Sequence, residues 1–188
     1  MVVFPELNEP LRDECIALRF FCERDIPEIL IAYQDDPAMH ERLGEERPPS
    51  GAELGRLAER GASDRAAGAR VTLTIVEPGS DDCRGEIRVH NIDPGGRQAE
   101  LGVWVVPEAR GRGYARRALA LAGAWLFRCC GLERLAVLTE TDNEPMLRTA
   151  AAAGFVREGI LRGYTRERTR RIDCVVMSLL PDDLGTAR

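Results

Sequence analysis

Apolar and polar residues alternate along 99–106, Ala-Glu-Leu-Gly-Val-Trp-Val-Val. This predicts a strand with Leu101, Val103 and Val105 on one face and Glu100, Gly102 and Trp104 on the other. Gly102 leaves a gap on the mixed face. Beyond 107–113 the spacing becomes helical: Ala115, Ala118, Ala122, Trp125 and Cys129, flanked by Leu119 and Leu126, fall on one side. An apolar run at 135–139 follows closely, so strand, helix and strand read as a parallel crossover unit.

The flanking pattern is mixed. A first strand is expected at 16–20, and Asp25 with Pro27 opens a helix to about 34 by cap and first-turn logic. Residues 42–50 form a Pro/Gly-rich loop, and Ser50 with Glu53 makes a capping box for a helix to about 60. Strands at 71–77 and 84–90 are joined by a turn at 78–82, and Asp93-Pro94-Gly95-Gly96 turns into the central strand. Asn143 caps a helix with Pro145 in its first turn and Gly154 at its end. Residues 155–158, an arginine-rich turn and a strand at 172–180 complete a pattern with no repeat or linker. The expectation is one α/β (α+β) domain over 1–188, with its core at about 16–180.

Gly111 and Gly113 sit where the central helix begins, and a helix start leaves backbone N–H groups free to meet an anion. Arg110, Arg112, Arg116 and Arg117 crowd the same end, where acidic residues would instead gain roughly 0.3–1 kcal/mol each. Arginines placed against the dipole make sense if a polyanion docks there. Four solvated arginines on a surface turn are the alternative.

The run Arg110-x-x-Gly113-x-Ala115 resembles the acyl-CoA pyrophosphate loop of the GNAT superfamily of N-acetyltransferases. Asn143, then Ala153-Gly154-Phe155, Glu158-Gly159-x-Leu161-Arg162 and Asp173, resembles its RimJ/RimL-like branch, and the likeness runs from 16–19 to 178–180. The resemblance implies the GNAT fold: one mixed, mostly antiparallel central sheet of about seven strands flanked by helices, whose splayed parallel strands hold acetyl-CoA. It further implies that Arg110, Gly111, Arg112, Gly113, Tyr114, Ala115 and Arg116 hold the pyrophosphate. Backbone groups of Val103, Trp104 and Val105 would bind the pantetheine arm, and the Val105 N–H would face the thioester oxygen. Asn143 would touch the cofactor as well as, or instead of, capping its helix. Trp104 reads as a pocket-wall aromatic.

The acid-base positions depart from that branch. Where a serine is expected after the asparagine stands Met146; where glutamates are expected stand Thr165 and, for another branch, Leu138. Remaining bases are Glu100, Glu140 and Glu167, with Glu100 preferred because it shares the Gly102 face. Tyr164 is a candidate donor to the leaving thiolate. The run Arg162, Arg166, Arg168, Arg170 and Arg171 reads as a solvated hairpin tip, or as an attraction for an acidic acceptor.

Composition narrows the field. With 188 residues, 44% hydrophobic, 30% charged and a net charge of −5, the chain is expected to be a globular protein that does not bind nucleic acid as a bulk polyanion. Six cysteines without Cys-x-x-Cys spacing and two histidines give no metal signature, and suit a reducing cytoplasm. No signal-peptide or membrane-spanning run is apparent. The expected function is acetyl-CoA-dependent acetylation of an amine acceptor, either a protein N-terminus or a small molecule, by direct transfer. A noncatalytic acyl-CoA-binding module is the alternative, and an arginine-led RNA binder runs against the acidic total. The sequence leaves the oligomeric state open, a homodimer included.

Overall fold

The computed structural model describes residues 2–167 and 170–184, with Glu167 described in its backbone only. Expected roles for the Glu167 side chain and for Arg168 therefore lie outside the described residues.

The chain runs β1 (Leu11–Arg12), β2 (Ala17–Phe20), α1 (Ile26–Asp35), α2 (Met39–Arg42), α3 (Gly51–Ala66), β3 (Val71–Val76), β4 (Cys83–Asp93) and β5 (Gln98–Val105). It continues with α4 (Tyr114–Cys130), β6 (Arg134–Glu140), α5 (Glu144–Ala152), β7 (Val156–Glu167) and β8 (Arg170–Leu179). Among the described residues the strands form one eight-stranded sheet, β1-β2-β3-β4-β5-β6-β8-β7. The strand beyond the expected seven or so is β1, two residues paired with Leu18 and Ala17. Among the described strands, β5 and β6 are the one parallel pair.

Cross-strand neighbours share a face, so the registers sort the sheet into two surfaces. Leu18, Ile75, Ile87 and Val103 belong to the apolar surface, on the side where α4 packs. Gly123 brings α4 close: a Cβ there would stand 3.1 Å from Leu179. The other surface carries a polar ladder, Arg19–Thr74–Glu86–Trp104, under α1. Tyr33 of α1 meets the Trp104 ring at 6.3 Å between centroids.

Several local expectations change. The Ser50–Glu53 capping box forms, and α3 continues to Ala66. Asp25 stands at the start of α1 but makes no cap bond. Its buried carboxylate instead accepts from both Nη atoms of Arg19, at 2.8 and 2.6 Å, and from Thr74 Oγ1 at 2.8 Å, tying β2, α1 and β3 together. In α4 the buried cysteine is Cys130, whereas Cys129 is exposed. The arginine-rich segment is two long strands, with Arg162 and Arg166 in β7 and Arg170 and Arg171 in β8.

Candidate active site

β5 and β6 pair only at Gln98–Glu100 with Arg134–Ala136, then part. What β5 offers to the opening follows from its other ladder. Val106 N–H donates to Arg84 C=O at 3.0 Å, and the register runs unbroken to His90–Glu100. Hydrogen-bonded pairs alternate in an antiparallel ladder, so the amides of Trp104, Gly102 and Glu100 turn toward β4. Those of Leu101, Val103 and Val105 turn toward the opening. Of Val103, Trp104 and Val105, whose backbone groups are expected to meet a pantetheine arm, only Val103 and Val105 turn their amides to the opening. Trp104 contributes its side chain, with Nε1 donating to the buried Glu86 at 2.8 Å.

The parted strands open a cleft of about 1280 Å³, lined by the glycine-arginine corner, the loop after α1 and residues of β4 to β8. The expected cofactor loop, Val103 to Val105, Asn143, Glu100, Glu140 and Tyr164 line it, whereas Arg112 and Arg117 do not. At the corner, Gly111 and Gly113 adopt φ of +76° and +79°, which favours glycine. The first helical bond runs from Arg117 N–H to Gly113 C=O, leaving the amides of Tyr114, Ala115 and Arg116 pointing outward. A Cβ at either glycine would meet nothing within 4 Å, so the corner is open ground. A diphosphate fits such a cradle: outward amides, no acidic residue in the first turn of α4, and arginines alongside.

The arginines divide by partner. Arg110 donates from Nε to Val105 C=O at 3.0 Å and pairs with Asp36, which also takes Arg42. Burial raises the Asp36 carboxyl pKa, but the two guanidinium groups outweigh it and hold it below its ordinary value. Arg117 turns away to Asp13 at 2.8 Å and does not line the cleft. Arg112 lies 3.8 Å from Glu77, outside the cleft wall. Arg116 is exposed on the cleft and makes no ion pair among the described residues. Tyr114 sends its hydroxyl to Glu77 at 2.8 Å, which raises its pKa. Asn143 caps α5 through Met146 N–H at 3.3 Å and donates to Thr139 Oγ1 at 2.9 Å.

At the far end Glu100, Tyr164, Glu140 and Cys174 line the cleft, together with His90 and Asn91, which sequence reasoning passed over. Met146, Thr165 and Leu138, the three departures from the expected acid-base set, line it too. The charge of Glu100, followed by burial, raises the Tyr164 pKa, so that phenol stays protonated at neutral pH. Burial likewise raises Cys174 and keeps it a thiol. Among the described residues no cluster of His, Cys, Asp and Glu could hold a metal, and no helix is long and apolar enough to cross a membrane.

Comparison with known sequences decides the family, because the profile of the acetyltransferase (GNAT) domain matches residues 16–156. The chain belongs to the GNAT acetyltransferase family. Its GNAT relatives include the uncharacterized N-acetyltransferase YoaA of Bacillus subtilis (strain 168), 31% identical over 96 residues, or 51% of this chain and 54% of YoaA. Another is the uncharacterized N-acetyltransferase p20 of Bacillus licheniformis, 28% identical over 108 residues, 57% of this chain and 61% of p20. The match thus spans little more than half the length of these curated relatives. Among solved GNAT structures, Mycobacterium smegmatis RimJ in complex with CoA-disulfide superposes with a TM-score of 0.80 at 21% identity, covering 95% of this chain and 89% of RimJ. Vibrio cholerae spermidine N-acetyltransferase with CoA and spermine gives 0.76 at 21%, covering 90% and 97%. At such identities the two structures speak for the fold.

Proposed function

We propose that this GNAT chain is one domain that uses acetyl-CoA to acetylate a primary amine, foremost a protein N-terminal α-amine and secondarily a small-molecule amine. The observation that carries the reading is the row of outward amides on β5 ending at the Gly111–Gly113 corner, inside one cleft. Acetyl-CoA supplies a thioester whose carbonyl carbon accepts the amine. The amides of residues 114–116, with Arg116, hold the diphosphate, and Val105 holds the pantetheine arm.

The resemblance assigned the oxyanion donor to Val105. Val103 fits that role better, because it lies two residues nearer the point where the strands part and beside Gly102, whereas Val105 adjoins the corner. A preset donor at a developing oxyanion is worth roughly 2.7–4 kcal/mol. Tyr164 gives a proton to the departing thiolate. Direct transfer is favoured over an acyl-cysteine, since burial keeps the Cys174 thiol protonated and a poor nucleophile.

An α-amine suits a site without the expected serine and glutamates. Its unperturbed pKa of about 7.7–8.0, against about 10.4 for lysine, leaves a useful fraction neutral at pH 7. Structural neighbours named for ribosomal-protein and spermidine acetylation bracket the two acceptor classes. A cytoplasmic location, suggested by six unpaired cysteines, belongs to the same reading.

The second reading, a noncatalytic acyl-CoA sensor, is favoured specifically by Met146, Thr165 and Leu138. Calorimetry with CoA and acetyl-CoA, followed by CoA-thiol release with a panel of N-terminal peptides and amines, tests both. Binding with turnover supports the enzyme, binding without turnover the sensor, and no binding removes the two together.

A further inference from the structure

His90 of β4 stands directly across from Glu100 of β5, on the surface where Gly102 leaves a gap. We propose that His90 is the general base of the transfer, with Glu100 and Asn91 as residues that position its imidazole. The proposal rests on the acetyltransferase reading above.

Three features converge. First, Nε2 of His90 is the sole heavy atom, chain neighbours apart, within 4 Å of where a Gly102 Cβ would stand, at 3.7 Å. Both residues line the cleft, and a Cβ at Gly102 would stand in van der Waals contact with the imidazole, so the glycine leaves that edge of the ring uncovered. Gly102 also separates Leu101 from Val103, whose amides face the parted strands, so Nε2 lies beside the stretch of backbone that flanks the proposed acyl site. Second, Nδ1 lies 3.9 Å from Glu100 Oε2. That is longer than a hydrogen bond, and catalytic hydrogen bonds in ligand-free sites are often long and tighten on binding.

Third, the register between β4 and β5 slips just after His90, at a bulge in which Asn91 takes φ +47°. Bulges re-aim side chains next to active sites, and asparagine tolerates this left-handed conformation. The slip turns the Asn91 amide onto Glu100 Oε2 at 3.0 Å, fixing the carboxylate beside the imidazole.

Charges facing His90 come from every packed element. Burial lowers its pKa; Glu100 of β5 and a hydrogen bond with Asn91 raise it, while Arg70 before β3 and Arg88 of β4 lower it. The balance lies below the ordinary imidazole value, so His90 is neutral at pH 7 and ready to accept a proton. Tyr164 of β7 faces Glu100 from the other side of the cleft mouth.

An N–H bond of the acceptor ammonium breaks and its proton goes to the Nε2 lone pair. The electron pair left on nitrogen bonds the acyl carbon, and the C–S pair leaves with sulfur, which takes the Tyr164 proton. Imidazolium then loses its proton to water, and the second N–H proton of the adduct, shed to rim water as the neutral amide forms, restores the phenol. Both exchanges occur at a wet rim, where the His90 side chain is 42% and Tyr164 is 49% exposed.

The test uses the full chain, acetyl-CoA and whichever acceptor gives the highest turnover in the panel above. His40 and His90 are the only histidines in the sequence, so an imidazole NMR titration resolves both, and His90→Gln assigns them. Expected is an imidazole titrating below about 6.5, and lower still in Glu100→Gln, which removes a charge that favours imidazolium. In kinetics, His90→Gln should lose about 10²- to 10⁴-fold in kcat, together with the acid limb of the pH profile. Its CoA affinity by calorimetry should match the parent. Glu100→Gln should move the acid limb to lower pH.

A folded His90→Gln within threefold of parental kcat, or one that keeps the same acid limb, overturns the assignment while leaving the acetyltransferase reading intact. A parent chain that binds no CoA, or binds it without turnover with any acceptor, overturns both.

Discussion

Single backbone amides of β5 face the opening between the parted strands, and proline can delete them one at a time. A proline is tolerated in a sheet only where its missing N–H is not part of a ladder. The β4–β5 register, anchored by Val106 N–H on Arg84 C=O, exempts Val103 and Val105 from that ladder. Val103→Pro and Val105→Pro should therefore keep the β4 pairing, while Val103→Ala and Val105→Ala trim the side chain and retain the amide. Comparing each proline with its alanine isolates the N–H.

If Val103 faces the thioester oxygen, its loss removes about 2.7–4 kcal/mol of transition-state stabilisation, a fall of about 10²- to 10³-fold in kcat. If Val105 binds only the arm, it forfeits an ordinary hydrogen bond of about 0.5–1.5 kcal/mol. That appears as a rise of about 2- to 12-fold in KM for acetyl-CoA, with kcat nearly unchanged. Steady-state CoA-thiol release gives both constants, and thermal melts establish that each variant is folded. A folded Val103→Pro with kcat within threefold of Val103→Ala would refute the reasoning.

Two further outcomes follow from charge placement. Arg116→Glu should weaken CoA binding by calorimetry clearly more than Arg112→Glu, because Arg116 stands on the cleft with no ion pair among the described residues and Arg112 faces Glu77 outside it; equal effects would mean the diphosphate lies elsewhere. Asp25→Asn should destabilise the fold by about 3 kcal/mol at pH 7, leaving Arg19 without a buried partner, or about 6–12 °C in Tm for a chain of this length. Burial raises the Asp25 carboxyl pKa, but Arg19, Thr74 and the Cys22 amide outweigh it and leave it lowered. Its contribution is thus present above the unfolded carboxylate pKa of about 3.9 and is lost as pH falls through the lower folded value. The parent–variant gap in Tm should accordingly shrink below about pH 4; a gap that widens there would contradict the sign.

Local chemistry made much of this readable in advance. The Ser50–Glu53 box, the glycine corner, the Asn143 cap and the alternation of β5 each depend on residues a few positions apart, and each forms. The destinations of the arginines depend on distant chain segments. Arg117 finds Asp13 across 104 positions and Arg110 finds Asp36 across 74, so the crowd at the start of α4 looked uniform in sequence. Asp25 carries the composition of a cap, and burial beside Arg19 overrides it. His90 was concealed by one extra residue. With Asp93 opposite Gln98, counting back along a regular hairpin sets Glu100 against Asn91, and only the bulge brings His90 there. The turn at Asp93-Pro94-Gly95-Gly96 was the available signal, and it points one residue away.

A sheet that divides after three residue pairs has an edge in its interior. Exposed strand edges invite neighbouring chains to add themselves, and proteins ordinarily guard against it. Here the raw edge is sheltered inside the molecule, where something slender with its own amide groups can stand in for the absent length of strand. The proposed cofactor would then serve as structural infill as well as reactant: at a hundredfold excess over its dissociation constant, occupancy would add about 2.7 kcal/mol to the folded state. On the proposed reading, an apoprotein of this design carries an unfinished sheet that each bound cofactor completes anew.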